Sequence, residues 1–188
     1  MRLKLRKKPN NKIYKLYPHL GGDFFYTAVK FCRLTREQFE ALHHEFAQFL
    51  ASQSIDQSQW EKMKDEQPSL VEEELDLFSD LIWEKTLKKL RYLENTSASK
   101  VFLFSIEENE MFLRILSCSN PSIDLATIKG WQWAMEHIGN TAIELMASKK
   151  KIGPDREKEL FELIQQGCVL SEGERYRQLE SFFKTTKK

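Results

Sequence analysis

The sequence predicts an α+β fold that is mainly helical, with a small antiparallel sheet (a hairpin plus one strand) packed by helices around a long central helix. Three observations predict it. Apolar residues recur at helical spacing through most of the chain, and capping signals mark where several helices begin. Two short apolar runs rich in strand-favouring residues interrupt the helical pattern near the middle.

A capping box marks the first helix. Thr35 can act as the N-cap, and Gln38 stands three positions on, where each side chain can satisfy the other's free backbone N–H. The apolar residues that follow at helical spacing are Phe39, Leu42, Phe46, Phe49 and Leu50. We therefore expect a helix over residues 36–52.

A second capping box, formed by Asp56 and Gln59, predicts a shorter helix that ends near Pro68. Proline suits the first turn of the next helix, which we expect over residues 68–93. Its apolar residues lie on several sides, as is typical of a central element: Val71, Leu75, Leu77, Phe78, Leu81, Ile82, Trp83, Leu87 and Leu90. We expect this helix to be the spine of the fold.

The pattern then changes to short strands. Residues 101–106 and 110–117 are apolar runs separated by three polar residues, which predicts a β-hairpin. A helix is expected over 127–138, stopped by Gly139, and a third strand over 142–147.

Two helices are expected to close the chain. Pro154 opens the first, and Gly167 stops it. Ser171 and Glu174 form a third capping box for the second.

Residues 1–28 differ from the single α+β domain expected over 29–188. They contain seven basic residues and one acidic residue, and Pro9, Pro18 and the pair Gly21-Gly22 interrupt any regular element. One interpretation is a flexible basic tail that could bind nucleic acid or anionic lipid. The other is a mis-set start, with the true protein beginning near Val29.

Composition limits the class of protein. The 188 residues include an odd number of cysteines, three, with no metal-ligand spacing, which indicates reduced thiols and a reducing compartment. No apolar run approaches the roughly 20 residues of a membrane helix, so a cytoplasmic protein is predicted. Outside the tail, acidic residues outnumber basic ones by 27 to 22, which argues against a general nucleic-acid surface.

The best candidate for chemistry is an acidic stripe on the 68–93 helix, made of Glu72, Asp76, Asp80 and Glu84. Residues four apart share one helix face, and neighbouring carboxylates could hold a divalent cation. The simpler interpretation is a solvated face. A metal site would need ligands from another element, and His43 on the first helix is the candidate we name.

Other chemistry finds little support. The four histidines form no H-E-x-x-H motif, and no G-x-S-x-G elbow or phosphate-binding glycine loop occurs. No cofactor is predicted, and catalytic residues are not assigned.

Two tryptophans are candidates for an interface. Trp131 and Trp133 stand two apart on an expected helix and so point about 200° from each other. Both can be buried only if that helix is packed on two sides; otherwise one is exposed and could anchor a partner. Glu72, at the start of the acidic stripe, is a further interface candidate.

Several segments resemble a family of short, uncharacterised proteins found in Bacteroidota. These segments are RLTREQFEALHHEFAQFLASQSI, EEELDLFSDLIWE, NPSIDL and GCVLSEGERY. The resemblance covers about residues 30–180 and implies a bacterial cytoplasmic protein whose members begin near Lys30. It implies no activity and no site residues, and the first 28 residues have no counterpart in it.

Two hypotheses about function follow. The favoured one is a non-catalytic, cytoplasmic protein-interaction module that binds a protein partner through the acidic helix face or an exposed tryptophan, with no membrane contact. The alternative is a metal-binding protein or enzyme that uses Asp76, Asp80 and Glu84 with His43. Nucleic acid is expected as a partner only if residues 1–28 are made in the cell.

Overall fold

The structure is a computed structural model that describes residues 29–185, and before them only two short paired segments. Those segments are β1 (Tyr17–Pro18) and β2 (Phe24–Phe25), which pair antiparallel. The expectations for the tail otherwise lie outside the described residues. The described chain falls into two compact units that adjoin in the sequence at Thr86 and Leu87, named here the N-terminal and C-terminal units.

The N-terminal unit is helical. It contains α1 (Arg36–Ala41), α2 (His43–Ser52), α3 (Gln57–Glu66) and most of α4 (Pro68–Lys89). The capping boxes predicted for α1 and α3 are confirmed, with both reciprocal hydrogen bonds present in each.

The expectation of one continuous helix over 36–52 was wrong. Leu42 leaves helical geometry, with φ −112° and ψ 21°, and separates α1 from α2. Its N–H is shared between the carbonyls of Gln38 and Phe39, a tightened final turn that ends α1. Apolar periodicity continues through this break, so the pattern alone could not reveal it.

An aromatic cluster fills the N-terminal unit. The Phe46 ring packs edge-on against Phe78 at 5.0 Å and against Trp60 at 5.4 Å between ring centroids. Phe39 and Phe49 also contact the Phe78 ring, at 5.8 and 5.4 Å. Phe78, 1% exposed, is therefore the point where α1, α2 and α4 meet.

The C-terminal unit is built on a five-stranded antiparallel sheet. Its strands are β3 (Tyr92–Thr96), β4 (Lys100–Ile106), β5 (Glu110–Cys118), β6 (Ile143–Lys151) and β7 (Val169–Leu170). Their order is β6-β5-β4-β3-β7. The α+β class and the predicted hairpin are confirmed, but the sheet has two more strands than the hairpin plus one strand expected.

The two unpredicted strands have different causes. α4 ends at Lys89 rather than at residue 93, because the Arg156 guanidinium donates hydrogen bonds to the carbonyls of Leu87 (2.7 Å) and Leu90 (3.0 Å). Residues 92–96 are thereby released into β3. β7 has only two residues, too few to show any periodicity.

Three helices complete this unit: α5 (Ile128–Glu136), α6 (Arg156–Gln165) and α7 (Glu174–Thr185). One face of the sheet packs against α5 and α7 in a core of Val101, Leu103, Leu116, Cys118, Leu125, Trp131, Ala134, Tyr176 and Leu179. The third capping box was wrong: the Ser171 hydroxyl accepts the N–H of Gly173 at 2.9 Å, and α7 begins only after that glycine.

Candidate functional site

The acidic stripe on α4 is bound by the segment that precedes α1. The Asp80 carboxylate accepts the backbone N–H of Lys30 at 2.8 Å and that of Phe31 at 3.0 Å. The Lys30 ammonium donates to Glu84 at 2.8 Å. Two successive N–H groups and one cation are thus satisfied by two carboxylates one helical turn apart.

Arg33 binds the other half of the stripe. Its Nε donates to Asp76 at 2.6 Å, one Nη donates to the Glu72 carboxylate, and the other donates to the Glu72 carbonyl at 2.9 Å. Partial burial by itself would lower the pKa of Arg33, but the hydrogen bonds and charges of Asp76 and Glu72 outweigh it and raise the pKa above its usual value. The guanidinium is therefore a fixed positive charge here.

Asp80 is a partly buried carboxylate. Burial raises its pKa above the ordinary value, and the two backbone N–H groups act in the opposite direction. Its role in this geometry is to hold the chain at residues 30 and 31 against α4, and that role uses both oxygens.

The remaining candidate metal ligand lies on α2. His43 is exposed, its Nδ1 is 3.0 Å from the Glu40 carbonyl oxygen, and its ring is 4.1 Å from the ring of His44. Within the described residues, no group of three or more His, Cys, Asp and Glu side chains could hold a metal ion. The stripe is thus brought together with Lys30 and Arg33, not with a further ligand.

The two tryptophans of α5 differ in their surroundings. Trp131 is 6% exposed, and its Nε1 donates to the Gln178 side chain at 2.7 Å. Trp133 is half-buried and stacks on His137, with ring centroids 4.4 Å apart and planes 12° from parallel. Trp131 belongs to the core, while Trp133 keeps part of its surface in solvent.

A different set of side chains on α4 is exposed. Leu70, Leu77 and Leu81 are 38%, 44% and 48% exposed, whereas Phe78 and Trp83 on the same helix are each 1% exposed. At 100° per residue, the three leucines fall within about 40° of one another around the helix. They form a row, named here the leucine row, that sequence reasoning had assigned to a central, packed helix.

Sequence reasoning also missed Lys30 and Arg33. They stand three apart in the segment before α1, outside the helices and strands, and Glu84 lies 54 positions after Lys30. The sequence did contain a signal for this contact. Two basic residues precede the first helix, and their charge is opposite to that of the regular acidic stripe. Nothing local, however, specified that the segment would lie along that stripe.

The fold and these surfaces define an α+β protein with a five-stranded antiparallel sheet and, over the described residues, no assembled metal cluster. The model of the family of unknown function DUF6495 matches residues 29–184, and the chain belongs to that family. This confirms the resemblance to an uncharacterised family.

Two further comparisons, with curated proteins and with solved structures, were made. A search of curated proteins found no significant match, and a search of solved structures found none. In the described part of the chain, no helix is long and apolar enough to cross a membrane.

Proposed function

We propose that this protein is a non-catalytic, cytoplasmic protein-interaction module and that the leucine row of α4 is a surface by which it binds a partner. The observation that supports the proposal is the alignment of Leu70, Leu77 and Leu81 on one exposed helix face. Single exposed leucines are ordinary, but aligned ones on a helix are typical of docking surfaces.

The surroundings of the row favour binding over chemistry. The carboxylates of the stripe already accept hydrogen bonds from Lys30, Phe31 and Arg33, which leaves them positioned to hold the chain rather than to react. The two ends of the leucine row, Leu70 and Leu81, are 11 positions apart, or about 16 Å of helix at 1.5 Å per residue. That length suits three turns of a partner helix.

The charges beside the row indicate the partner's chemistry. Glu73 and Glu74 lie on either side of Leu70 and Leu77 when α4 is viewed along its axis, and Glu74 accepts a hydrogen bond from the Gln53 amide at 2.7 Å. A partner helix with an apolar stripe and basic flanks is complementary to this surface.

A capture experiment tests the proposal. The full chain is used as bait in lysate of its own source cells and compared with Leu77→Ser/Leu81→Ser. The matched control is Lys89→Ser, an exposed position of the same helix about 80° around it from Leu81. We expect at least one protein that wild type and Lys89→Ser retain equally and that the double variant loses by tenfold or more. Quantitative mass spectrometry measures the capture, and thermal unfolding confirms that both variants fold.

Identical capture by all three proteins would contradict the proposal. Elemental analysis of natively purified protein tests the alternative hypothesis. A stoichiometric metal that disappears in Asp80→Ala would support the metal-binding protein instead and count against a role confined to docking.

A further inference from the structure

We propose that the open edge of β6 is a second docking site, which accepts an extended acidic segment of another protein as a sixth strand of the sheet. This site is separate from the leucine row and goes beyond the function proposed for it. It follows from the position of β6, from the direction of its backbone groups and from the side chains along it.

The two edges of the sheet are unequal. β7 closes one edge with two residues, Val169 and Leu170. β6 forms the other edge with nine residues and pairs only with β5 among the described strands. A long unpaired edge is a template for a further strand, whereas a two-residue edge offers almost none.

The hydrogen bonds at both ends of β6 show which backbone groups face outward. The Ala142 carbonyl accepts from Ser119, and the Ile152 N–H donates to Asn109, so even-numbered residues point toward β5. Backbone direction alternates along an antiparallel strand. The N–H and C=O groups that point away from β5 are therefore those of Leu145, Ala147, Lys149 and Lys151.

The basic side chains at the end of β6 favour an acidic partner strand. Lys149, Lys150 and Lys151 end the strand and are all exposed. Lys149 lies 3.3 Å from Glu110, and Lys150 lies 2.5 Å from Glu159. Lys151 forms no ion pair within the part of the chain that the structure describes.

The same lysines favour an acidic segment of another protein over a second copy of this chain as the added strand. In antiparallel pairing of β6 with a second copy about Ala147, Lys149 and Lys151 would lie opposite Leu145 and Ile143, which offer them no carboxylate. A strand with carboxylates at alternate positions would instead place them beside Lys149 and Lys151, which share one face of the sheet.

The opposite face offers an apolar contact. Register places Phe102, Ile115 and Met146 side by side on three neighbouring strands. Met146 ends this row at the open edge and is 40% exposed. An incoming strand would extend the row with an apolar side chain, so the expected ligand alternates acidic and apolar residues.

A labelled peptide tests this directly. The probe is a fluorescein-tagged nonapeptide in which glutamate and valine alternate, and fluorescence anisotropy with the full chain measures its binding. We expect saturable binding that weakens as NaCl is raised, because the lysine contacts are exposed. A nonapeptide of alternating lysine and valine is expected not to bind.

Two variants locate the site. Ala147→Pro removes an outward N–H but none of the bonds to β5, and edge strands tolerate proline at such positions. Ala147→Thr keeps that N–H and is the matched control. We expect Ala147→Pro and Lys149→Glu/Lys151→Glu each to weaken binding at least tenfold and Ala147→Thr to change it by less than about twofold.

The outcomes are separable. If Ala147→Pro does not fold, as judged by thermal unfolding, the lysine double variant still decides the result. Absence of binding, equal binding by every variant, or a dimer that Ala147→Pro abolishes in analytical ultracentrifugation would each overturn the proposal. Leu77→Ser/Leu81→Ser should bind the peptide normally, so failure at either surface leaves the other test intact.

Discussion

Arg33 joins two carboxylates and a carbonyl of α4, and this number of contacts sets it apart from the other basic residues near α1. Its side chain is 34% exposed, whereas that of Arg36, which pairs with Glu40 one turn along α1, is 89% exposed. Bidentate, partly buried contacts of arginine are stronger than an exposed pair within one helix.

Replacing Arg33 should therefore destabilise the fold measurably. We expect Arg33→Met to lower the free energy of unfolding by about 1–2 kcal/mol, because Glu72 and Asp76 lose their partner and the exposure of the pair moderates the loss. Arg36→Met should cost no more than about 0.5 kcal/mol. Urea denaturation compares the two variants, and equal losses would show that the stripe contacts add nothing.

At the scale of elements, the entry into α7 depends on Gly173. This residue has φ +75°, and a Cβ placed on it would lie 2.4 Å from the ring of Tyr92 on β3. Gly139 follows α5 and offers a contrast, since a Cβ there meets nothing within 4 Å.

The two glycines should respond differently to alanine. We expect Gly173→Ala to lower the free energy of unfolding by about 2–4 kcal/mol, since both the backbone conformation and the Tyr92 contact resist a side chain. Gly139→Ala should stay within about 0.5 kcal/mol of wild type. Thermal and urea unfolding measure both, and a tolerant Gly173→Ala would mean that Tyr92 moves aside at little cost.

Local signals explain which elements the sequence could predict. The capping boxes at Thr35 and Asp56 act over three residues, so they located α1 and α3 correctly. β3 was missed because Arg156, 66 residues after Leu90, helps to end α4. Elements set by a distant partner leave no pattern in their own residues.

The same reasoning applies to the candidate site. The regular spacing of Asp76 and Asp80 made the stripe visible in the sequence. Lys30 and Arg33, which bind the stripe, come from a segment without periodicity. Leu77 and Leu81 of the leucine row were predicted as apolar positions of a helix, whereas their exposure depends on what the rest of the fold leaves uncovered. Burial is a property of tertiary packing, and periodicity alone does not report it.

At the scale of the whole molecule, the buried thiol of Cys168 should make the free energy of unfolding depend on pH in the alkaline range. Burial raises the pKa of Cys168 from its ordinary value of 9.0 to about 11, with the Asn95 side chain acting in the opposite direction. A pKa raised in the folded state contributes stability that is complete below the unfolded value and is lost as pH rises through the folded one. The window therefore lies between about pH 9 and 11.

We expect the free energy of unfolding of wild type to fall more between pH 8 and 11 than that of Cys168→Ala, which has no thiol to ionise. Cys32→Ala keeps the Cys168 thiol, so its free energy of unfolding should fall with pH as that of wild type does. Urea denaturation under reducing conditions at several pH values provides the comparison. Parallel curves for all three proteins would show that Cys168 ionises equally easily in the folded and unfolded chains.

The order of the strands has a consequence for synthesis. β3, β4 and β5 follow one another along the chain and pair as neighbours, but the cover for β3's outer edge is β7, which is translated 73 residues after β3 ends. While a ribosome is still adding residues 97–168, both margins of the growing sheet lack a neighbour. A nascent chain at that stage exposes two templates for mispairing, and translation of Val169 and Leu170 removes one of them.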